Sequence, residues 1–432
     1  MTTARVPLSA ALTVCVALVV AALVMTFQSL ALAGDGSYYL VRIIATGEVF
    51  GTDQRYLGNL IRQSPVLLAI RSEVTSTYTL ALLLGVGQIV IPALLWSLAV
   101  LHARADRVAF AAVTVTAGIC AGTTWFFSVS ENVIAMPLTA LVAVVLWQPA
   151  TWSRGNAAVA IAASTVLVAS YETSMVTGLV LAGWGLMRAL RASSRMERGS
   201  CAAVSVLAAL SVLVAVRGGW EQTYPTHSRS LLYYVVDLQP WPLYLAVAGL
   251  VALVVGIDGR YASRVSTTLV AAGTTALFVA VAGLQMTTTA AFAARGGAAV
   301  ATFALLVLLW WQWAPRTEQR TPDRRSSRLL AVPVGFVVAI LVVNMWALRD
   351  WASSFSTFRD EVGVARGVVA ADDVIPQDRR SVLWNWTAPS LSLVVRDDPD
   401  AGVLVDPDPS FVPFEPADRR RQLPDAYTWR NG

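Results

Sequence analysis

The chain contains no lysine: all 32 of its basic residues are arginine. With so much Ala, Val and Gly, this points first to a GC-rich coding bias. Charge of either sign is scarce. Only 14% of the 432 residues are charged and 56% are hydrophobic, where a soluble domain carries roughly 25% charged residues. With a mean hydropathy of +0.61, this is the composition of a polytopic membrane protein. Cysteine is rare too. Cys15, Cys120 and Cys201 all fall in apolar runs, so neither a disulfide framework nor a Cys-based metal site follows. There are two histidines. No Walker loop, dinucleotide fingerprint, zinc spacing or serine elbow is present, which leaves ATP-driven transport and cofactor chemistry without support. The net charge of +5 is spread through loops without an aromatic–basic surface, so nucleic acid is not an expected partner.

What is present is a series of long apolar runs. Those at 7–33, 78–101, 108–128, 132–148, 157–170, 173–188, 200–216, 241–257, 265–284, 297–313 and 330–347 read as about eleven transmembrane helices. The first resembles a signal peptide but is too long, and it reads as a retained helix. Arginines concentrate in alternate loops: Arg104 and Arg107; Arg154; Arg188, Arg191, Arg195 and Arg198; Arg260 and Arg264; Arg316 to Arg328. By the positive-inside rule these loops are cytoplasmic, so the N-terminus lies inside and the C-terminus outside. The fold class expected is an all-α polytopic membrane protein with a small C-terminal extracytoplasmic α/β domain. Residues 1–347 would form the membrane domain and residues 348–432 the outer domain.

The first outer loop, 34–77, carries two helical patterns, one on Tyr38, Val41 and Ile44 and one on Leu57, Leu60 and Ile61. They read as amphipathic helices lying on the interface and exposing Arg42, Arg55 and Arg62. Pro65 is expected to end the second. Two tight hairpins between short spans would sink Glu131 and Glu172 below the membrane surface. In the tail, 355–371 reads as a helix, 381–386 and 402–405 as strands, and 389–396 as a short helix. No internal repeat is found.

Asp35 is the leading candidate for chemistry. A carboxylate at the lipid boundary can accept a proton from an acceptor hydroxyl; the alternative is an ordinary helix N-cap. Glu131 and Glu172 either line a site or are solvated helix-end carboxylates. Arg295, ahead of the apolar run at 297–313, suits a phosphate. Arg42 and Arg62 read better as headgroup anchors. In the loop 218–239, His227 with Tyr224 and Arg229 forms a secondary binding candidate; His102 faces inside. The two Asp-Pro-Asp stretches of the tail, 398–400 and 406–408, read as surface turns. Trp384, Trp386 and Trp429 either stack on sugar rings or pack and anchor.

The stretch Gly34-Asp35-Gly36-Ser37-Tyr38-Tyr39, the long first outer loop, the short paired spans and the outer tail together resemble the GT-C superfamily of membrane glycosyltransferases. The resemblance covers the architecture of most of the chain and a few residues. It implies sugar transfer from a polyprenyl-phosphate donor to a cell-envelope glycan or lipid acceptor, with Asp35 as general base. Arg295, Arg55, Tyr38, Glu131, Glu172, His227 and Arg229 would bind substrate. Many members carry two adjacent acidic residues here; Gly36 follows Asp35, so a divalent metal is unsupported and no cofactor is expected. The Arg/Ala/Val bias is similar to actinobacterial sequences, which would place the enzyme in a bacterial inner membrane. The rival reading is a polytopic transporter or lipid-linked-glycan flippase.

Overall fold

The computed structural model describes residues 5–51, 53–124, 132–148, 152–170, 173–221, 241–258, 263–285, 290–313, 330–375, 387–397, 403–406, 423–424 and 426–429. It is mostly helical. In chain order the helices are α1 (Leu8–Phe27), α2 (Gly36–Thr46), α3 (Tyr56–Arg71), α4 (Thr77–Gly85), α5 (Ile91–Ala103), α6 (Arg107–Thr124), α7 (Asn132–Trp147) and α8 (Arg154–Leu167). They continue as α9 (Ser174–Arg191), α10 (Arg195–Glu221), α11 (Trp241–Asp258), α12 (Ser263–Gln285), α13 (Ala290–Trp313) and α14 (Ala331–Val364). A π-helical segment, Val86–Val90, joins α4 to α5.

Every expected apolar run is helical, but the count of eleven spans does not carry over. Among the described residues, Leu8–Phe27, Thr77–Ala103, Arg195–Gly218 and Ala331–Val364 are long and apolar enough to cross a bilayer. Others are shorter apolar helices. The clearest shortfall is α8, whose 14 residues reach about 21 Å against a hydrocarbon core of about 30 Å. Hydropathy marks a run as apolar, but helix length decides whether it crosses.

The core lies around α6 and α7. Both are apolar on nearly every face, and almost all their described residues are buried, so each must be surrounded by other helices. The outer helices instead expose Leu12, Val16, Val20, Leu179, Leu213, Val342 and Trp346, an apolar surface suited to lipid. Small residues let helix backbones approach closely. A Cβ on Gly273 of α12 would fall 2.7 Å from the Gly249 carbonyl oxygen and 2.7 Å from the Leu253 nitrogen of α11. Without a hydrophobic drive in lipid, such backbone approach is a main source of helix association.

One end of the bundle gathers the arginines. Val6 N donates to Arg104 O at 3.0 Å, Gln148 Nε2 to His102 O at 3.3 Å, and Asn156 Nδ2 to Gln148 Oε1 at 3.0 Å. Arg188 on α9 pairs with Glu197 on α10 at 3.0 Å. The opposite end holds α2, α3 and the tail.

The tail does not form a separate α/β domain. The expected boundary at 347/348 falls inside α14, which is continuous from Ala331 to Val364. Beyond it are β1 (Gly367–Ala370), one helical turn α15 (Ala371–Val374), α16 (Ala388–Val395) and β2 (Val403–Asp406). The strands pair in parallel, Gly367 opposite Val403 and Ala370 opposite Asp406. A two-stranded sheet of four-residue strands has no core of its own. Instead α16 is buried and packs on α2 and α4. Thr77 Oγ1 donates to Val394 O at 2.5 Å, Thr77 N to Thr428 O at 3.0 Å, and Trp429 N to Arg396 O at 2.7 Å. The strand expected at 402–405 and the helix at 389–396 are present within a residue or two; the strand at 381–386 lies outside the described residues.

Candidate functional site

The end of α1 turns sharply. Ser29 and Gly34 both adopt left-handed backbone, with φ of 54° and 57°, and a 3-10 turn spans Leu30–Leu32. This places Asp35 at the head of α2, half-buried. Its carbonyl accepts from Tyr39 N at 2.9 Å and starts the helix, but its side chain makes no capping hydrogen bond. Asp106 shows the contrast: at the head of α6 its Oδ1 accepts from Val108 N at 2.9 Å and Ala109 N at 3.0 Å. Asp35 therefore holds the N-cap position without doing the N-cap's work.

Aromatic rings and arginines surround α2. Tyr38 packs edge-on to Phe50 at 5.5 Å and Tyr39 lies 5.3 Å from the same ring. The Arg42 guanidinium lies 5.7 Å from Phe50, and that of Arg62 lies 5.5 Å from Tyr39. Gln63 fixes the Phe50 backbone through two bonds of 2.7 Å, accepting from its N–H and donating to its carbonyl.

The second loop helix differs from expectation in two ways. It does not stop at Pro65 but continues to Arg71. Proline removes the donor that would serve the Ile61 carbonyl, and Ser64 Oγ supplies it at 3.0 Å. The helix also packs along α4 and the π segment, so closely that a Cβ on Gly87 would fall 1.7 Å from Arg62 O. Arg62, expected to be exposed among headgroups, is fully buried. Its Nη2 donates to Asn59 Oδ1 at 2.9 Å.

Half-buried Arg55 precedes α3, whose first residues dock on the end of α8. Leu57 N and Gly58 N donate to Ala169 O at 2.9 and 3.2 Å. Asp35, Tyr38 and the first loop helix thus share an end of the bundle with Arg55. Glu131, Glu172, His227 and Arg229 lie outside the described residues. Arg295 lies within α13, which begins at Ala290; it is therefore inside the helix rather than ahead of it, and the argument from free N–H groups at a helix start does not apply to it. Trp384 and Trp386 also lie outside the described residues. Trp429 is buried, edge-on to Tyr78 at 5.1 Å and Phe355 at 5.8 Å: it packs, and it has no open face for a sugar.

Residues passed over in the sequence are Asn59, Gln63 and Gln88, all fully buried. The signal for Asn59 was its i, i+3 spacing from Arg62, which puts both on one helix face. Among the described residues no group of three or more His, Cys, Asp or Glu side chains is placed to hold a metal. A groove of about 770 Å³ runs between α1 and α14, walled by Leu12, Val16, Val20, Val338, Val342 and Met345. No family model, curated protein or solved structure matches the chain.

Proposed function

We propose that the chain is a membrane glycosyltransferase that moves a sugar from a polyprenyl-phosphate donor to a cell-envelope glycan or lipid acceptor at the outer face of a bacterial inner membrane. The observation that carries this reading is Asp35: a half-buried carboxylate where the first span meets the first loop helix, with no capping bond to its own helix. The arginine-rich end would be cytoplasmic, leaving Asp35 and the tail outside, where nucleotide sugars are absent and a lipid-linked donor is needed.

In the reaction, the acceptor hydroxyl would give its proton to an Asp35 carboxylate oxygen as its oxygen forms a bond to the anomeric carbon. The bond from that carbon to the phosphate oxygen would break, and the polyprenyl phosphate would leave with the electron pair. Arginine would offset the charge developing on the leaving group; Arg55 and Arg295 are the proposed partners. Tyr38 and the neighbouring rings would line the sugar site, with Glu131, Glu172, His227 and Arg229 contributing from the adjoining loops. The α1–α14 groove, apolar and open to lipid, would suit the polyprenyl chain, and α16 would close the site from above.

The test is complementation. Deleting the gene should remove one glycan linkage from the envelope, and the wild-type chain should restore it. Asp35→Asn should reach the membrane at normal levels and restore nothing, since loss of a general base costs about 10²–10⁴ in rate. Full restoration by Asp35→Asn would sink the assignment.

A further inference from the structure

One face of α2, with the aspartate that heads it, carries acidic, aromatic and basic side chains together. Asp35, Tyr38, Tyr39 and Arg42 recur at i, i+3, i+4 and i+7, which is one side of a helix, and all four are half-buried. The remaining residues from Gly36 to Ile44 are buried. Phe50 completes the open face from the loop that follows. Its ring meets Tyr38 edge-on, lies 5.3 Å from Tyr39 and has the Arg42 guanidinium at 5.7 Å. Tyr38, Tyr39 and Phe50 each keep part of their surface open.

A surface loop is ordinarily mobile, and Glu48, Gly51 and Asp53 are exposed. Yet this loop is held in its middle by two fully buried side chains of α3, Asn59 and Gln63, four residues apart on one helix face. Gln63 uses both ends of its amide on one residue: Oε1 accepts from Phe50 N and Nε2 donates to Phe50 O, each at 2.7 Å. Asn59 lies against the next residue, where a Cβ on Gly51 would fall 2.1 Å from its Nδ2. Burying an amide is costly unless its hydrogen bonds are made. An apolar residue at position 63 would fill the core without directing the loop. Two bonds to a single residue fix that residue's backbone, and so the direction in which its ring leaves the chain.

We propose that Gln63 is a positioning residue for sugar transfer: by clamping the Phe50 backbone it sets an aromatic wall of Tyr38, Tyr39 and Phe50 one helical turn from Asp35. The proposal rests on the sugar-transfer reading. Gln63 touches no substrate and acts through the Phe50 ring. A wall that drifts by about 1 Å carries the acceptor hydroxyl out of line with the base, and misplacement of that size costs up to about a hundredfold in rate.

The test is run in the deletion strain, with each full-length variant induced to equal membrane level and the rate at which the glycan linkage returns as the readout. Gln63→Met keeps the side-chain volume and removes both bonds. It should cut the rate about tenfold or more. In detergent micelles the same variant should melt within a few degrees of wild type, while hydrogen exchange at the Phe50 amide quickens about tenfold and exchange in α6 is unchanged. Phe50→Ala should slow transfer as well, and Gln63→Met/Phe50→Ala should slow it no further, because Gln63 acts only through that ring. With Asp35→Asn inactive, a wild-type rate in Gln63→Met or in Phe50→Ala overturns the proposal alone. So do multiplied losses in the double variant, unchanged exchange at Phe50, or a collapse of the Gln63→Met melting temperature, which would make Gln63 an anchor of the fold. Restoration by Asp35→Asn instead removes the sugar-transfer reading, and this proposal with it.

Discussion

Arg188→Met tests how the arginine-rich end of the bundle is held together. The Arg188 side chain is 7% exposed, and its Nε lies 3.0 Å from Oε1 of Glu197, itself 16% exposed. Its Nη1 donates to Val145 O at 3.4 Å and to Leu146 O, carbonyls of the last turn of α7 and hence at the negative end of that helix. The guanidinium also lies over the Trp152 ring at 4.6 Å. One side chain thus ties α9 to α10, to α7 and to the start of α8. Methionine fills similar space but leaves the half-buried Glu197 without its cation and takes the Arg188 donor away from the Val145 and Leu146 carbonyls. Breaking a buried pair from one side costs about 3–5 kcal/mol. Cys201 offers a local reporter: it is buried on α10, one turn beyond Glu197. Its alkylation requires α9 and α10 to part, so a loss of about 3 kcal/mol should speed labelling about a hundredfold, read by mass spectrometry of the Cys201 peptide. Arg188→Met/Glu197→Gln should recover part of the loss, because no charge is then stranded. Labelling of Arg188→Met within threefold of wild type would refute the argument, and a double variant as fast as the single would remove the ion pair as its source.

Gly273→Leu should force α11 and α12 apart, since even a Cβ there would fall 2.7 Å from the facing backbone. A melting temperature equal to wild type would show that the two helices tolerate the separation. Thr77→Val removes the donor to Val394 O while keeping the shape, at a cost of about 1 kcal/mol. Hydrogen exchange in α16 should quicken several-fold while exchange in α6 is unchanged; equal protection in α16 would mean that other contacts dock the tail.

The apolar runs were legible because a bilayer selects on composition alone, and each run proved helical. The helix that starts after Asp35 was legible too, from an aspartate in N-cap position ahead of the pattern on Tyr38, Val41 and Ile44. Pro65 misled because the rule for proline assumes that the lost hydrogen bond stays lost; the preceding serine replaces it. Arg62 misled for the opposite reason. An arginine at a span end normally snorkels to headgroups, yet α3 packs against the π segment and carries this one inside. The tail looked like a domain because it is polar and Pro-rich, but its short strands cannot hold a core, so it completes itself on α2 and α4.

The sequence by itself determined that the chain is a helical membrane protein, where its helices run and that its first acidic side chain heads the first loop helix. These follow from periodicity, run length and turn residues, which act over a few neighbours. Tertiary structure alone decided that Arg62 lies buried beside the Tyr39 ring, that Arg188 reaches three other helices, and that Trp429 packs inward. Such pairings join positions tens to hundreds of residues apart, and their energies depend on burial and distance, quantities that exist only once the helices have packed.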